Sequence, residues 1–127
     1  MKISILHFDG ARNKQKASYG VVLEYDDKTY KTNGILSEPC TNNQAEYQAL
    51  LNGLDLYYDL GLENYHLVIK GDSKLVICQV NDLWKVEHPN MIPLYQRVKS
   101  LLPNSYSLVW IPREENEEAD RLASLAE

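Results

Sequence analysis

The apolar and polar positions of this chain change period several times, and each change marks an element. Residues 3–9, ISILHFD, read as a strand. Parity places Ile3, Ile5, His7 and Asp9 on one face and Leu6 and Phe8 on the other. Apolar residues on both faces predict a central strand. The polar run at 11–17 reads as a turn. Two further strands follow at 18–25 and 29–36, and the Asp26-Asp27-Lys28 stretch suits a hairpin turn between them.

From residue 42 to 60 the period becomes helical. Tyr47, Leu50, Leu51, Leu54 and Tyr58 form a core-facing stripe. Thr41 or Asn42 is the expected N-cap and Gly61 the stop. Glu46 lies in the first turn, one step round from the stripe, where a side chain is held by the core yet reaches a cleft. Residues 65–70 predict a buried strand ending at Gly71-Asp72, and 73–81 a short helix. The segment 83–93 is irregular, punctuated by Pro89 and Pro93. A helix over 93–101, a strand over 106–111 and a last helix over 114–126 complete the series. Ala119, Leu122, Ala123 and Ala126 face inward on that last helix, and Asp120 sits one step off the stripe. The order of elements predicts a mixed α/β sheet: an antiparallel meander, then strands reached through helical crossovers and parallel to the first.

Composition narrows the class. A chain of 127 residues with 44% hydrophobic and 24% charged residues suits one globular domain, taken as 1–127. No apolar run approaches the roughly 18 residues needed to cross a bilayer, and MKISILHFDG reads as a strand, not a signal peptide. No membrane association is expected. Cys40 and Cys78 lack metal-like spacing and read as free thiols, so the expected location is the cytoplasm. The net charge of −5 argues against a general nucleic-acid-coating protein. It leaves room for a nuclease whose acids hold metal. No heptad or repeat argues for assembly, so a monomer is the expectation.

Asp9, Glu46, Asp72 and Asp120 carry the candidate chemistry. Their contexts are HFDGAR, TNNQAEYQALLNGL, IKGDSKLV and PREENEEADRLA. Each has an ordinary reading by itself: Asp9 as a turn residue, Glu46 as a first-turn acid, Asp72 as an N-cap, Asp120 as a solvated acid. Together, at strand ends and helix margins, they can converge at one edge of a sheet. Converging carboxylates repel one another unless divalent cations neutralise them.

DG near the end of strand one, TNN-x-x-E opening the first helix, DS after strand four and a final N-x-x-A-D, in that order, resemble the type 1 ribonuclease H family over essentially the whole chain. The resemblance implies a five-stranded mixed sheet, three strands antiparallel and then two parallel, with helices on both faces. It implies endonucleolytic cleavage of the RNA strand of an RNA–DNA hybrid, leaving 5′-phosphate and 3′-hydroxyl ends. Asp9, Glu46, Asp72 and Asp120 match the family's metal-binding quartet. The implied cofactor is Mg²⁺ or Mn²⁺, as two ions with substrate bound, and Asp9 would bridge them.

Asn42 and Asn43 match the pair that reads the hybrid's minor groove, where an amide can both donate to and accept from a 2′-hydroxyl. Thr41 resembles the phosphate-contacting threonine, and Trp84 a tryptophan that packs on the DNA backbone. The chain departs from well-studied members in the loop before the last helix. That loop reads IPREEN and offers Arg113 where they carry a histidine. Arginine can stabilise phosphate charge but cannot act as a base near neutral pH. The stretch 81–92 holds only Lys85 as a fixed positive charge. Two other readings stand beside this one: a related nuclease of the same fold acting on double-stranded RNA or DNA junctions, and a non-catalytic nucleic-acid-binding module.

Overall fold

A computed structural model describes residues 2–13, 16–37 and 40–126. Among these residues five strands form one sheet in the order β3-β2-β1-β4-β5. They are β1 (Ile3–Arg12), β2 (Ala17–Tyr25), β3 (Lys28–Leu36), β4 (His66–Gly71) and β5 (Tyr106–Trp110). The first three pair antiparallel, and β4 and β5 run parallel to β1. The central position expected for the first strand is the observed one.

The first hairpin differs from the polar turn expected at 11–17. β1 continues to Arg12 and β2 begins at Ala17, with Arg12 opposite Ala17. Side-chain polarity marks exposure there, and backbone pairing continues beneath it. Lys14 and Gln15, within that expected turn, lie outside the described residues. The second hairpin closes with Tyr25 opposite Lys28. Asp26 and Asp27 have φ of 50° and 62°, the doubly left-handed backbone that fits a two-residue loop to twisted strands.

Among the described residues there are four α-helices, α1 (Asn42–Asp59), α2 (Lys74–Val80), α3 (Ile92–Leu101) and α4 (Glu117–Ala126), of which α3 packs on α1 and α2. Thr41 caps α1. Its hydroxyl accepts from the Gln44 amide while the Gln44 side chain accepts from the Thr41 amide, a reciprocal box that satisfies two free donors. Gly61, at φ 69°, follows the helix end. The stripe of α1 differs from expectation at its last position: Tyr57 is fully buried and Tyr58 only partly so. Glu46 is the fifth helical residue, past the first turn. Ser73, not Asp72, caps α2 by accepting from the Val76 amide. The expected helix at 114–126 is divided: a 3-10 turn spans Arg113–Glu115 and α4 starts at Glu117.

α1 packs on β1 and β2 from one side, and α4 packs on β2, β1 and β3. Leu6, Phe8, Val21, Leu23, Tyr47, Leu50, Leu54, Leu67 and Ile69 are fully buried in a single core. Two α4 carbonyls are claimed by the sheet: Ser18 Oγ donates to Ala123 O and Asn33 Nδ2 to Leu122 O. Gly20 permits this approach, since a Cβ there would lie 2.2 Å from the Ala119 carbonyl oxygen. Among the described residues no helix is long and apolar enough to cross a membrane. Cys40 and Cys78 are both free.

Candidate active site

Asp9 ends the buried part of β1 and pairs across the sheet with Gly20, so it lies on the face that α4 covers. Gly10 lies on the opposite face, under α1. A Cβ at Gly10 would lie 2.3 Å from the Ala45 carbonyl carbon and 2.4 Å from the Glu46 nitrogen. The missing side chain therefore lets the first half of α1 rest directly on the strand. The Gly10 amide then donates to Glu46 Oε1 at 2.5 Å. The Asp-Gly pair thus does two jobs: one residue supplies a carboxylate and the next admits the helix that supplies another.

Asp72 arrives from the end of β4, one residue beyond the last strand position. Carboxylate oxygens of Asp9, Glu46 and Asp72 lie within 4.8 Å of one another. Asp120 is outside that triad but within hydrogen-bonding reach of Asp9, and it lines the same cleft. It also faces the Arg113 guanidinium at 3.8 Å. The cleft holds about 330 Å³, and its walls include Arg12, Asn42 and Asn43 besides the four acids and Arg113.

Electrostatics agree with this crowding. Asp9 is only 6% exposed. Burial first, and then the charges of Glu46, Asp72 and Asp120, push its carboxyl up to about 9. Glu46 is pushed up to about 7, mainly by burial, against the opposing pull of the Gly10 amide. Two carboxylates this reluctant to ionise alone lack a counter-charge. Hard oxygen donors at this spacing are the ligand set that divalent cations of the Mg²⁺ and Mn²⁺ type prefer. The donor set fits such an ion.

One residue of the site had a visible signal but no assigned role. Asn116, the first residue of the N-x-x-A-D run, is 1% exposed. Its Nδ2 donates to the Phe8 carbonyl at 2.9 Å and to Asp72 Oδ2 at 3.0 Å, so it bridges β1 and Asp72. Its backbone carbonyl accepts from the Asp120 amide at 3.1 Å. Arg12, on the cleft wall, carried no such signal, because its place depends on β1 continuing past Asp9.

The other candidates occupy adjoining ground. Asn42 and Asn43 line the acidic cleft, whereas Thr41 does not. Thr41 lines a second cleft, also about 330 Å³, together with Asn43, Lys85 and His88. Trp84 lines a third, with Leu83, Lys85 and Tyr95. Asn43 is shared by the first two and Lys85 by the last two, so the three clefts form one track leading away from the acids. Trp84 is 46% exposed, so its ring is open to the surface of that cleft. The segment that presents it is tied back at two points. Gln79 accepts from the Tyr47 hydroxyl at 2.6 Å and donates to the Lys85 carbonyl. Lys99 donates to the Val80 carbonyl and to Asp82.

Comparison with known proteins places this arrangement. The family described as reverse transcriptase-like matches residues 7–126. Ribonuclease HI of Halobacterium salinarum is 36% identical over 130 residues, which are 94% of this chain and 62% of that protein. A bifunctional protein of Mycobacterium tuberculosis is 36% identical over 133 residues, 98% of this chain but 35% of its own length. The chain therefore spans only part of these relatives. The crystal structure of ribonuclease H1 from Halobacterium salinarum superposes with a TM-score of 0.88 at 32% identity, covering 97% of this chain and 96% of that one. LC11 ribonuclease H1, solved in complex with an RNA/DNA hybrid, gives 0.87 at 27% identity, with 97% and 95% covered.

Proposed function

This chain belongs to the type 1 ribonuclease H family, and from that premise we propose that it is an endonuclease hydrolysing the RNA strand of RNA–DNA hybrids. The observation that carries the reading is the convergence of Asp9, Glu46 and Asp72 within 4.8 Å, with Asp120 alongside. The hybrid bound by LC11 ribonuclease H1, a relative with nearly the same fold, supports the choice of substrate.

Asp9, Glu46, Asp72 and Asp120 would hold Mg²⁺ or Mn²⁺, two ions once the substrate phosphate joins the carboxylates. When bound, such ions supply Lewis-acid charge at the phosphodiester and a more acidic water for in-line attack, giving 5′-phosphate and 3′-hydroxyl ends. Gly10 holds Glu46 by its amide, and Asn116 holds Asp72 by its side chain. These contacts fix the carboxylates in advance, so little reorganisation is left for the reaction.

Asn42 and Asn43, at the start of α1 and on the cleft wall, would read the minor groove through 2′-hydroxyls. Thr41, beside them at the helix N-terminus, would meet a phosphate of the strand that leaves the acids. The track shared through Asn43 and Lys85 leads on to the exposed Trp84, a surface suited to a sugar–phosphate backbone. Arg113, beside Asp120 on the cleft wall, would neutralise phosphate charge as substrate arrives.

The test is a cleavage assay on labelled hybrid, double-stranded RNA, double-stranded DNA, a DNA junction and single-stranded RNA, with Mg²⁺, Mn²⁺ or chelator. Hybrid-only cleavage that requires metal is expected, with Asp72→Asn lowering it more than about 100-fold, since a ligand matters at least as much as its supporting partners. Cleavage of a different substrate would move the assignment to another nuclease of this fold. Hybrid binding without cleavage would make the protein a binding module.

A further inference from the structure

Asp72 stands just past the point where β4 and β5 stop pairing. The last ladder contact sets Gly71 opposite Trp110, and the Ile111 amide donates to the Gly71 carbonyl at 3.0 Å. The next carbonyl, that of Asp72, has no strand partner beside it. It accepts instead from the indole Nε1–H of Trp110 at 3.1 Å. On its other side the Asp72 carboxylate accepts from Asn116 Nδ2. The residue is therefore gripped at its main chain by one donor and at its side chain by another, from two different elements.

Trp110 is not a core residue. It is 45% exposed, on an edge strand. With nearly half of its surface open, it contributes less burial than a core aromatic would. Its polar edge, though, is spent on one carbonyl at the metal-binding cleft, and Lys74 Nζ sits 5.9 Å from the ring centroid, a cation–π contact that favours one ring placement.

We propose that Trp110 is a positioning residue for Asp72: its indole N–H fixes the main chain that aims this carboxylate at its partners, and Lys74 keeps the ring in place. The inference rests on the reading of Asp72 as a metal ligand. Its physical basis is that a ligand whose backbone can rotate must be ordered at the moment of binding, and that ordering lowers affinity.

The experiment titrates Mn²⁺ against wild type, Trp110→Phe and a protein carrying benzothienylalanine at position 110, which keeps the bicyclic ring but places sulfur where the N–H stood. Two quantities are read: the Mn²⁺ concentration that half-saturates the rise in melting temperature without substrate, and kcat and KM for hybrid at saturating Mn²⁺. Supporting partners of metal ligands typically change affinity by about 10–100-fold, and a contact to the ligand's main chain should shift the Mn²⁺ midpoint by about 3–10-fold, in both variants. KM for hybrid should stay within about twofold, and the metal-free melting temperature close to wild type. A wild-type midpoint in the benzothienylalanine protein would overturn the proposal. So would a rise in KM with no change in the Mn²⁺ midpoint, which would make Trp110 a substrate contact. If wild type itself neither responds to Mn²⁺ nor cleaves hybrid, the functional reading fails, and that result differs from both of these.

Discussion

β1 crosses two regions with opposite physics. Its first half sends Leu6 and Phe8 into the core beneath α1, where both are fully buried among Leu23, Leu50, Leu54 and Ile69. Its next residue, Asp9, is almost as buried but faces Glu46, Asp72 and Asp120. In the first region every contact removes apolar area from water, and stability follows from burial. In the second, burial strengthens repulsion between like charges and raises both Asp9 and Glu46 well above ordinary carboxylates. The comparison teaches where this fold stores its stability and where it spends some. The acids can be held close without metal only because the adjoining core holds the strands and α1 rigidly in place.

Damage to the core should have the largest effect on stability. Leu54→Ala removes a fully buried side chain and should cost about 2–5 kcal/mol, read by urea denaturation. The remaining folded protein should still cleave hybrid in proportion to its amount. A smaller loss would show that the core can collapse around the gap.

Gly10→Ala strikes the boundary between the two regions. The added methyl meets the α1 backbone, which cannot swing away like a side-chain tip. A loss of about 1–3 kcal/mol is expected from overpacking, together with weaker metal-dependent cleavage because Glu46 moves with the helix. Retained activity at reduced stability would separate the two roles of this glycine.

The cleft should respond in the opposite sense from the core. Asp9→Asn should abolish cleavage while the metal-free protein melts no lower than wild type at pH 10, above the value of about 9 for the Asp9 carboxyl, since one repelling charge is then gone. A clear drop in melting temperature would mean that Asp9 is held by stabilising contacts that outweigh the repulsion.

The gentlest test is pH. The folded-state values of Asp9 and Glu46, about 9 and about 7, lie above their ordinary 3.8 and 4.5. The folded state therefore holds more protons than the unfolded chain between these limits. The stability these two groups contribute is complete below about pH 4 and is lost as pH rises through 7 and then 9. Metal-free melting temperatures should fall between pH 5 and 9, and Mg²⁺ should flatten that slope in wild type more than in Asp9→Asn. A slope unchanged by Mg²⁺ would argue that the carboxylates are not the ion's ligands.

Much of this was legible along the chain because it is local. Alternation in ISILHFD and the helical stripe from Tyr47 are properties of neighbouring residues, as are the cap expected at Thr41 or Asn42 and the Asp26-Asp27 turn. The four acids could be picked out because each sits beside a local landmark: a strand end, a helix start or a cap. The stripe's end at Tyr57 in place of Tyr58 was less legible, since 3.6 residues per turn leaves adjacent positions nearly equivalent and the packing partner, not the period, chooses between them.

What the sequence determined by itself was periodicity, the start of α1, the Asp26-Asp27 turn and the short contexts of the acids, because backbone sterics and side-chain alternation act over a few residues. Only the tertiary structure decided that Gly10 must lack a side chain so that α1 can bring Glu46 to Asp9, and that Asn116 reaches back to Asp72 over 44 positions. It alone placed the Trp110 indole on the carbonyl of Asp72 and divided Thr41, the acids and Trp84 among three joined clefts. Those are contacts between elements distant in the chain, and their geometry depends on how the sheet, α1 and α4 pack against one another, which no window of neighbouring residues contains.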